Sequence, residues 1–425
     1  MPPKPSADPT LSAREAAALL GVKLPTLYAY VSRGLVRSTP APRGRARRYR
    51  REDVERLAFR HRGGGRRIRS PLSWGEPLLE TTITRLSPDG PVYRGHRLDD
   101  LVTAGLRFEA VAELLWGGGV PETDDEIDTR WTAADLGVDT DAVARLIPEG
   151  ATPMAALQVL VPALALADPG RFDPRREAVL PRARALIRRL AAGIGLPDAG
   201  RAADALQADS VAQAVAVSLG ARSAHAVRAV ETALVVCADH ELNASTFAAR
   251  VTASTRADVY ACVGSALCTL SGPLHGSVSE QVEALLIEIG RPERAEAVMH
   301  ERLRRGEHIP GFGHPFYRQH GDPRARLLLE AAQPLGTRNR SARALAGLIE
   351  AARAAQRPPP NLDAGLVAVT APLGLRPGAA AGLFAVGRAA GWVAHALEQV
   401  ETGHLLRPRA RYAGPDAPGE EGMLA

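Results

Sequence analysis

Ile309-Pro310-Gly311-Phe312-Gly313-His314-Pro315-Phe316-Tyr317-Arg318-Gln319-His320-Gly321-Asp322-Pro323-Arg324 is the most telling stretch of this 425-residue chain. It is built from residues that helix and strand interiors avoid. Gly311 and Gly313 permit backbone conformations closed to other residues, while Pro310 and Pro315 fix φ and remove amide donors. Between Gly313 and Pro315 stands His314, a side chain that titrates near neutral pH. Asp322-Pro323-Arg324 places a guanidinium at a helix start. A shaped loop presenting an imidazole and a guanidinium suits a carboxylated substrate with a polarised carbonyl. The competing reading is an ordinary Gly/Pro-rich surface loop with a solvated histidine.

Three other stretches extend the pattern: His240-Glu241-Leu242-Asn243-Ala244-Ser245-Thr246, Gly272-Pro273-Leu274-His275-Gly276, and Asn361-Leu362-Asp363. With Gly-Phe-Gly-His-Pro and Asp-Pro-Arg-Ala they resemble the citrate synthase family, in the same order along the chain. The resemblance covers roughly residues 75 to 415 and leaves the N-terminus unexplained.

Charge marks that N-terminus as a separate module. Residues 1–70 hold 17 Lys+Arg against 5 Asp+Glu, a balance of +12; the whole chain is +6, so the remainder is −6. A basic module therefore precedes a mildly acidic body. Residues 1–10 read as a disordered tail. Ser12 and Glu15 form a capping box, Ala16, Ala17, Leu19 and Leu20 supply an apolar face, and Gly21 stops that helix. A second helix begins near Pro25 and ends by Gly34. An arginine-rich loop and Tyr49-Arg50 follow, and a third helix starts near Val54. Residues 11–60 thus resemble the winged helix-turn-helix of the MerR and excisionase families. In that reading Thr26, Tyr28 and Arg33 face a DNA groove while Arg45, Arg47 and Arg48 contact phosphates. A basic protein-interaction module is the alternative. Residues 61–73 read as a basic linker.

The body is mainly α in pattern. Apolar segments of helical length at 152–167, 176–194, 208–219, 222–238, 243–255, 257–270 and 277–289 alternate with Gly/Pro/Asp breaks. Further helices are expected at 291–305, 325–334, 340–355, from Asn361, and at 383–400. No Rossmann fingerprint or P-loop is present. No apolar run approaches the ~20 residues of a membrane helix, and no apolar segment follows Met1-Pro2-Pro3-Lys4 as in a signal peptide, so a cytoplasmic protein is expected. Cys237, Cys262 and Cys268 lack metal-ligand spacing and read as buried reduced thiols. The resemblance implies a two-lobed all-helical body: a large domain over 74–290, a small domain over 291–390, and a C-terminal segment, 391–425, returning to the large domain or a dimer partner.

Joining acetyl-CoA to an α-keto acid needs a base for a weakly acidic proton and donors for two carbonyl oxygens. It also needs cations for the keto acid's carboxylates. By resemblance Asp363 is the base, His275 donates to the thioester oxygen, and His314 polarises the ketone. His240 contacts the same keto acid, and Arg324 and Arg388 clamp its carboxylates. Arg407 matches an arginine contributed by the neighbouring subunit, which implies a homodimer. No cofactor and no metal are expected, acetyl-CoA being a co-substrate and oxaloacetate its partner. Plainer readings stand beside these: His240 as a polar cap, His275 as a turn histidine, Asp363 as the N-cap after Pro360, Arg388 as a surface arginine. Two departures, Gly276-Ser277-Val278-Ser279 where the family commonly has Gly-Gly-Ala-Asn and Ala364 where many members have Phe, put rate and substrate choice in question. Propionyl-CoA, giving 2-methylcitrate, is an alternative co-substrate, since one methylene changes binding by only ~1–3 kcal/mol. From another class comes a DNA-binding regulator whose body senses a ligand.

Overall fold

A computed structural model describes residues 10–20, 22–32, 36–40, 47–50, 54, 79–121, 123–131, 135, 137–196, 198–318, 321–336, 338–374 and 376–408. Contacts divide the chain into two units, Met1–Glu80 and Thr81–Ala425.

In the first unit the Ser12 amide donates to Glu15 Oε2 (2.8 Å) and the Glu15 amide to Ser12 Oγ (3.3 Å), so the capping box opens helix Ala13–Leu20 as its sequence dictates. Helix Leu24–Ser32 follows. Strands Thr10–Leu11, Arg47–Arg50 and Ser38–Pro40 form an antiparallel sheet with Arg47–Arg50 central. Leu11, Ala16, Ala17, Leu20, Leu27, Val36, Tyr49 and Val54 make its core.

The second unit starts with a meander of strands Thr84–Ser87, Gly90–Tyr93 and His96–Arg97, and is otherwise helical. One continuous apolar core runs from Ile83 to Leu397. Its axis is helix Ala379–Thr402, buried on almost every face. This helix corrects the membrane expectation: it reaches the length and hydropathy of a spanning segment (mean hydropathy 1.2), yet its apolar stretch is buried inside the protein. Its glycines explain why. A Cβ on Gly387 would lie 2.9 Å from Cys237 Cβ, and one on Gly391 would lie 2.4 Å from the Ala238 carbonyl oxygen. Bare Cα atoms let helix Ala224–Cys237 and the turn after it come within backbone contact. The cysteine reading also changes: Cys237 and Cys262 are buried, but Cys268 is exposed.

Candidate active site

The loop that carries His314 is strapped to the segment that carries Asp363. Phe312 bridges Pro360, the Gly313 amide donates to the Pro359 carbonyl (2.9 Å), and the Asn361 amide donates to the Gly311 carbonyl (2.9 Å). Asn361 Nδ2 adds a bond to the Gly313 carbonyl (3.0 Å). Gly311 has φ 83°, and a Cβ there would sit 2.7 Å from Val282 Cγ2 and 3.1 Å from Ala364 Cβ. Only glycine satisfies both demands, and the ordinary surface-loop reading fails.

Asn361 caps helix Leu362–Thr370 by accepting from the Asp363 amide (3.0 Å), which corrects the reading of Asp363 as the cap. Asp363 stands in the first turn with its carboxyl pushed up to about 7. Burial dominates that shift; the Arg324 charge opposes it and the Asp322 charge adds to it. Asp322 caps helix Pro323–Ala332 and accepts four hydrogen bonds: from Arg324 N (3.1 Å), Nε (2.9 Å) and Nη2 (2.8 Å), and from Leu362 N (3.1 Å). This carboxylate ties the Arg324 helix to the Asp363 helix. Sequence reasoning passed over it although it stands in the Asp-Pro-Arg motif.

His240 lies in the turn after helix Ala224–Cys237 and is 8% exposed. Its Nε2–H donates to the Val236 carbonyl (2.9 Å), so it closes the preceding helix rather than capping the next, whose N-cap is Asn243. His275 lies in the tight turn before helix Val278–Ile289. Its Nε2 accepts from the Ser245 amide (3.3 Å), which assigns its proton to Nδ1. Ser245 Oγ lies 2.9 Å from the same nitrogen and accepts from Trp392 Nε1 (3.2 Å). His314 Nδ1 accepts from the Phe316 amide (3.2 Å), which places its proton on Nε2. Burial depresses all three imidazoles: His275 and His314 fall to about 4, with the Arg388 and Arg324 charges respectively adding, and His240 drops well below its ordinary value. At neutral pH the site therefore holds three uncharged imidazoles, suited to donate hydrogen bonds rather than to carry charge.

Arg388 is completely buried, which overturns the surface reading. Nε donates to the Cys237 carbonyl (2.7 Å) and the guanidinium carbon lies 5.0 Å from the Phe384 ring centre. Nη1 and Nη2 are buried and make no hydrogen bond to the protein. Phe384, one helical turn earlier, packs 5.9 Å from His240 and 6.3 Å from His275 and so spaces the two rings. The charges of Arg388 and Arg324 both reach His240, so these candidates share one electrostatic neighbourhood. Arg407 is exposed on the extended segment after Ala379–Thr402, and no described contact joins it to this cluster. Among the described residues no group of three or more His, Cys, Asp or Glu side chains is placed to hold a metal ion.

Two family models match the chain: the citrate synthase C-terminal domain over residues 72–409, and a helix-turn-helix domain over residues 10–62. The chain belongs to the citrate synthase family. It is an acyltransferase that converts the acyl group into alkyl on transfer, by a citrate synthase-type condensation. Citrate synthase 2 of Bacillus subtilis is 33% identical over 362 residues, covering 80% of this chain and 95% of that one. A 2-methylcitrate synthase of Mycobacterium tuberculosis is 33% identical over 360 residues, covering 79% and 88%. The solved ternary complex of carboxymethyl coenzyme A and oxaloacetate with citrate synthase from Thermoplasma acidophilum has TM-score 0.71 at 27% identity, covering 80% of this chain and 95% of that one.

Outside the citrate synthase body, the helix-turn-helix unit presents Tyr28 at 51% exposure, with Arg47 exposed and Thr26 half-buried. Arg48 is half-buried and its Nε donates to Thr10 Oγ1 (3.1 Å). Arg33 and Arg45 lie outside the described residues, as do residues 41–46 between strands Ser38–Pro40 and Arg47–Arg50.

Proposed function

We propose that this enzyme joins acetyl-CoA to oxaloacetate, releasing citrate and CoA. The observation that carries the reading is Arg388, whose two buried guanidinium nitrogens stand without partners near the neutral imidazoles of His240 and His275. Buried donors are rarely left unmade, and a planar fork fits a carboxylate. A carboxylate of a keto acid supplies the acceptors that Arg388 lacks.

In this reaction the Asp363 carboxylate removes a proton from the acetyl methyl, and His275 Nδ1–H stabilises the negative oxygen formed on the thioester. The enolate carbon attacks the ketone of oxaloacetate, and His314 Nε2–H delivers a proton to the new alkoxide. Water then attacks the thioester carbonyl, breaking the carbon–sulfur bond and freeing CoA. A base with its pKa near the working pH combines availability with proton affinity, which suits the position of Asp363. Arg407 of the partner subunit of a homodimer would complete the carboxylate clamp.

CoA release by the full chain, given oxaloacetate with acetyl-CoA or with propionyl-CoA, tests this. Preference for acetyl-CoA supports it; preference for propionyl-CoA replaces citrate with 2-methylcitrate, and no release with either removes the reading. For the helix-turn-helix unit we propose DNA as the partner, on the strength of the domain match and the +12 balance of residues 1–70. Binding to duplex DNA should weaken steeply as salt rises. No binding at low salt would refute it.

A further inference from the structure

Three buried polar side chains behind the site take no part in the chemistry above. Asp239 and His395 are fully buried and Arg250 is 1% exposed. Arg250 Nη1 lies 3.2 Å from His395 Nδ1 and also meets Glu398, while Nε donates to Gln399 Oε1 (3.0 Å). A guanidinium only donates, so His395 Nδ1 accepts and the ring proton sits on Nε2. That proton points at Asp239 Oδ2, 3.3 Å away. His395 is therefore a neutral bridge with a fixed tautomer, its acceptor used by Arg250 and its donor by Asp239.

Asp239 leads into the site by two routes. Oδ2 accepts from the Glu241 amide (3.0 Å), pinning the turn in which Glu241 takes φ 61° and which holds His240. The Asp239 backbone oxygen accepts from the buried hydroxyl of Tyr93 (3.0 Å). The carboxylate also packs against the bare Cα of Gly391, one turn beyond Arg388, and each of Asp239 and Arg388 feels the other's charge. It forms no hydrogen bond to the guanidinium. Asp239 thus supplies a counter-charge that leaves both outer nitrogens of Arg388 open.

We propose that Asp239 and His395 are positioning residues for the keto acid: Asp239 balances Arg388 from behind and sets the His240 turn, and His395 holds Asp239 in place. The proposal rests on the condensation reading for its ligand. Neither residue touches substrate, so the effect falls on keto-acid affinity rather than on the thioester.

Steady-state kinetics of the full chain with oxaloacetate and acetyl-CoA test it. His395→Leu, which removes both hydrogen bonds, should raise the KM for oxaloacetate about tenfold with that for acetyl-CoA unchanged within about twofold. His395→Gln keeps a neutral donor and acceptor and should return the oxaloacetate KM to within about threefold of the unsubstituted chain. If the leucine variant does not fold, Asp239→Asn decides, since it keeps the shape and the Glu241 bond but loses the charge. It too should raise the oxaloacetate KM about tenfold. An unchanged oxaloacetate KM in Asp239→Asn, equal rises in both KM values, or no rescue by glutamine would each overturn the proposal. Absence of turnover by the unsubstituted chain would instead refute the condensation reading, and the variants would then be compared by oxaloacetate protection against thermal unfolding.

Discussion

Two buried arginines face the same site in opposite states. At the start of helix Pro323–Ala332, Arg324 is held by both oxygens of Asp322, and that contact outweighs burial to lift its pKa further. On helix Ala379–Thr402, Arg388 has one bond to a carbonyl and two unpartnered nitrogens, and burial lowers its pKa. The carboxylates divide the same way. Asp322, with four hydrogen bonds, stays below the ordinary carboxylate range although burial pushes the other way, whereas burial leaves Asp363 at about 7. One corner is closed and structural, the other open and poised for ligand.

That contrast can be broken by exchanging the expected consequences. The largest effect is expected at the open carboxylate: Asp363→Ala should lower kcat by about 10²–10⁴-fold, the range for a lost general base, while remaining folded. Full turnover by that variant would return Asp363 to a structural role. Asp322→Ala should instead act on stability, costing about 3–5 kcal/mol in chemical denaturation, because it strands a buried guanidinium and the Leu362 amide. Stability unchanged in Asp322→Ala would dissolve the closed corner. Arg388→Met should raise the oxaloacetate KM about 10–100-fold, the value of one or two charge-assisted hydrogen bonds. An unchanged oxaloacetate KM there would mean that Arg388 is structural after all.

The smallest expected effects are those of pH. Asp363 must be ionised to act, so kcat/KM should rise with pH through about 7 and level off above it. Because the fold holds that proton above the ordinary carboxyl pKa, ionising Asp363 costs stability, and the cost grows as pH rises from about 4 to about 7. Asp363→Asn should therefore match the unsubstituted chain in Tm at acid pH and exceed it above neutrality. Equal Tm values at both ends would sink the desolvation account.

Much of the fold was legible because it is encoded locally. Ser12 with Glu15, Asn243, Asp322 and Asn361 each cap a helix within three residues of themselves, and the periodic segments between breaks came out as helices within a few residues of their expected ends. The arginine and histidine candidates were legible from motif order. Less so were Phe384, Trp392 and His395, which look like ordinary members of an apolar helix until that helix is placed against the Asp239–Ser245 segment. His395 stands seven residues after Arg388, so helical spacing could have suggested a shared face, but not what lay opposite.

The sequence by itself determined the helical class, the division into a basic module and an acidic body, and which residue types could serve the condensation. The first two follow from periodicity, capping and composition, which act over a few residues; the third follows from motifs that resemble the citrate synthase family. Only the tertiary structure decided that Arg388 is buried and open while Arg324 is buried and closed, that Asp363 titrates near neutrality, and that the three imidazoles are uncharged. Each of those states depends on burial and on groups brought together from distant parts of the chain, and removal from water sets protonation and hydrogen-bond vacancy more strongly than residue identity does.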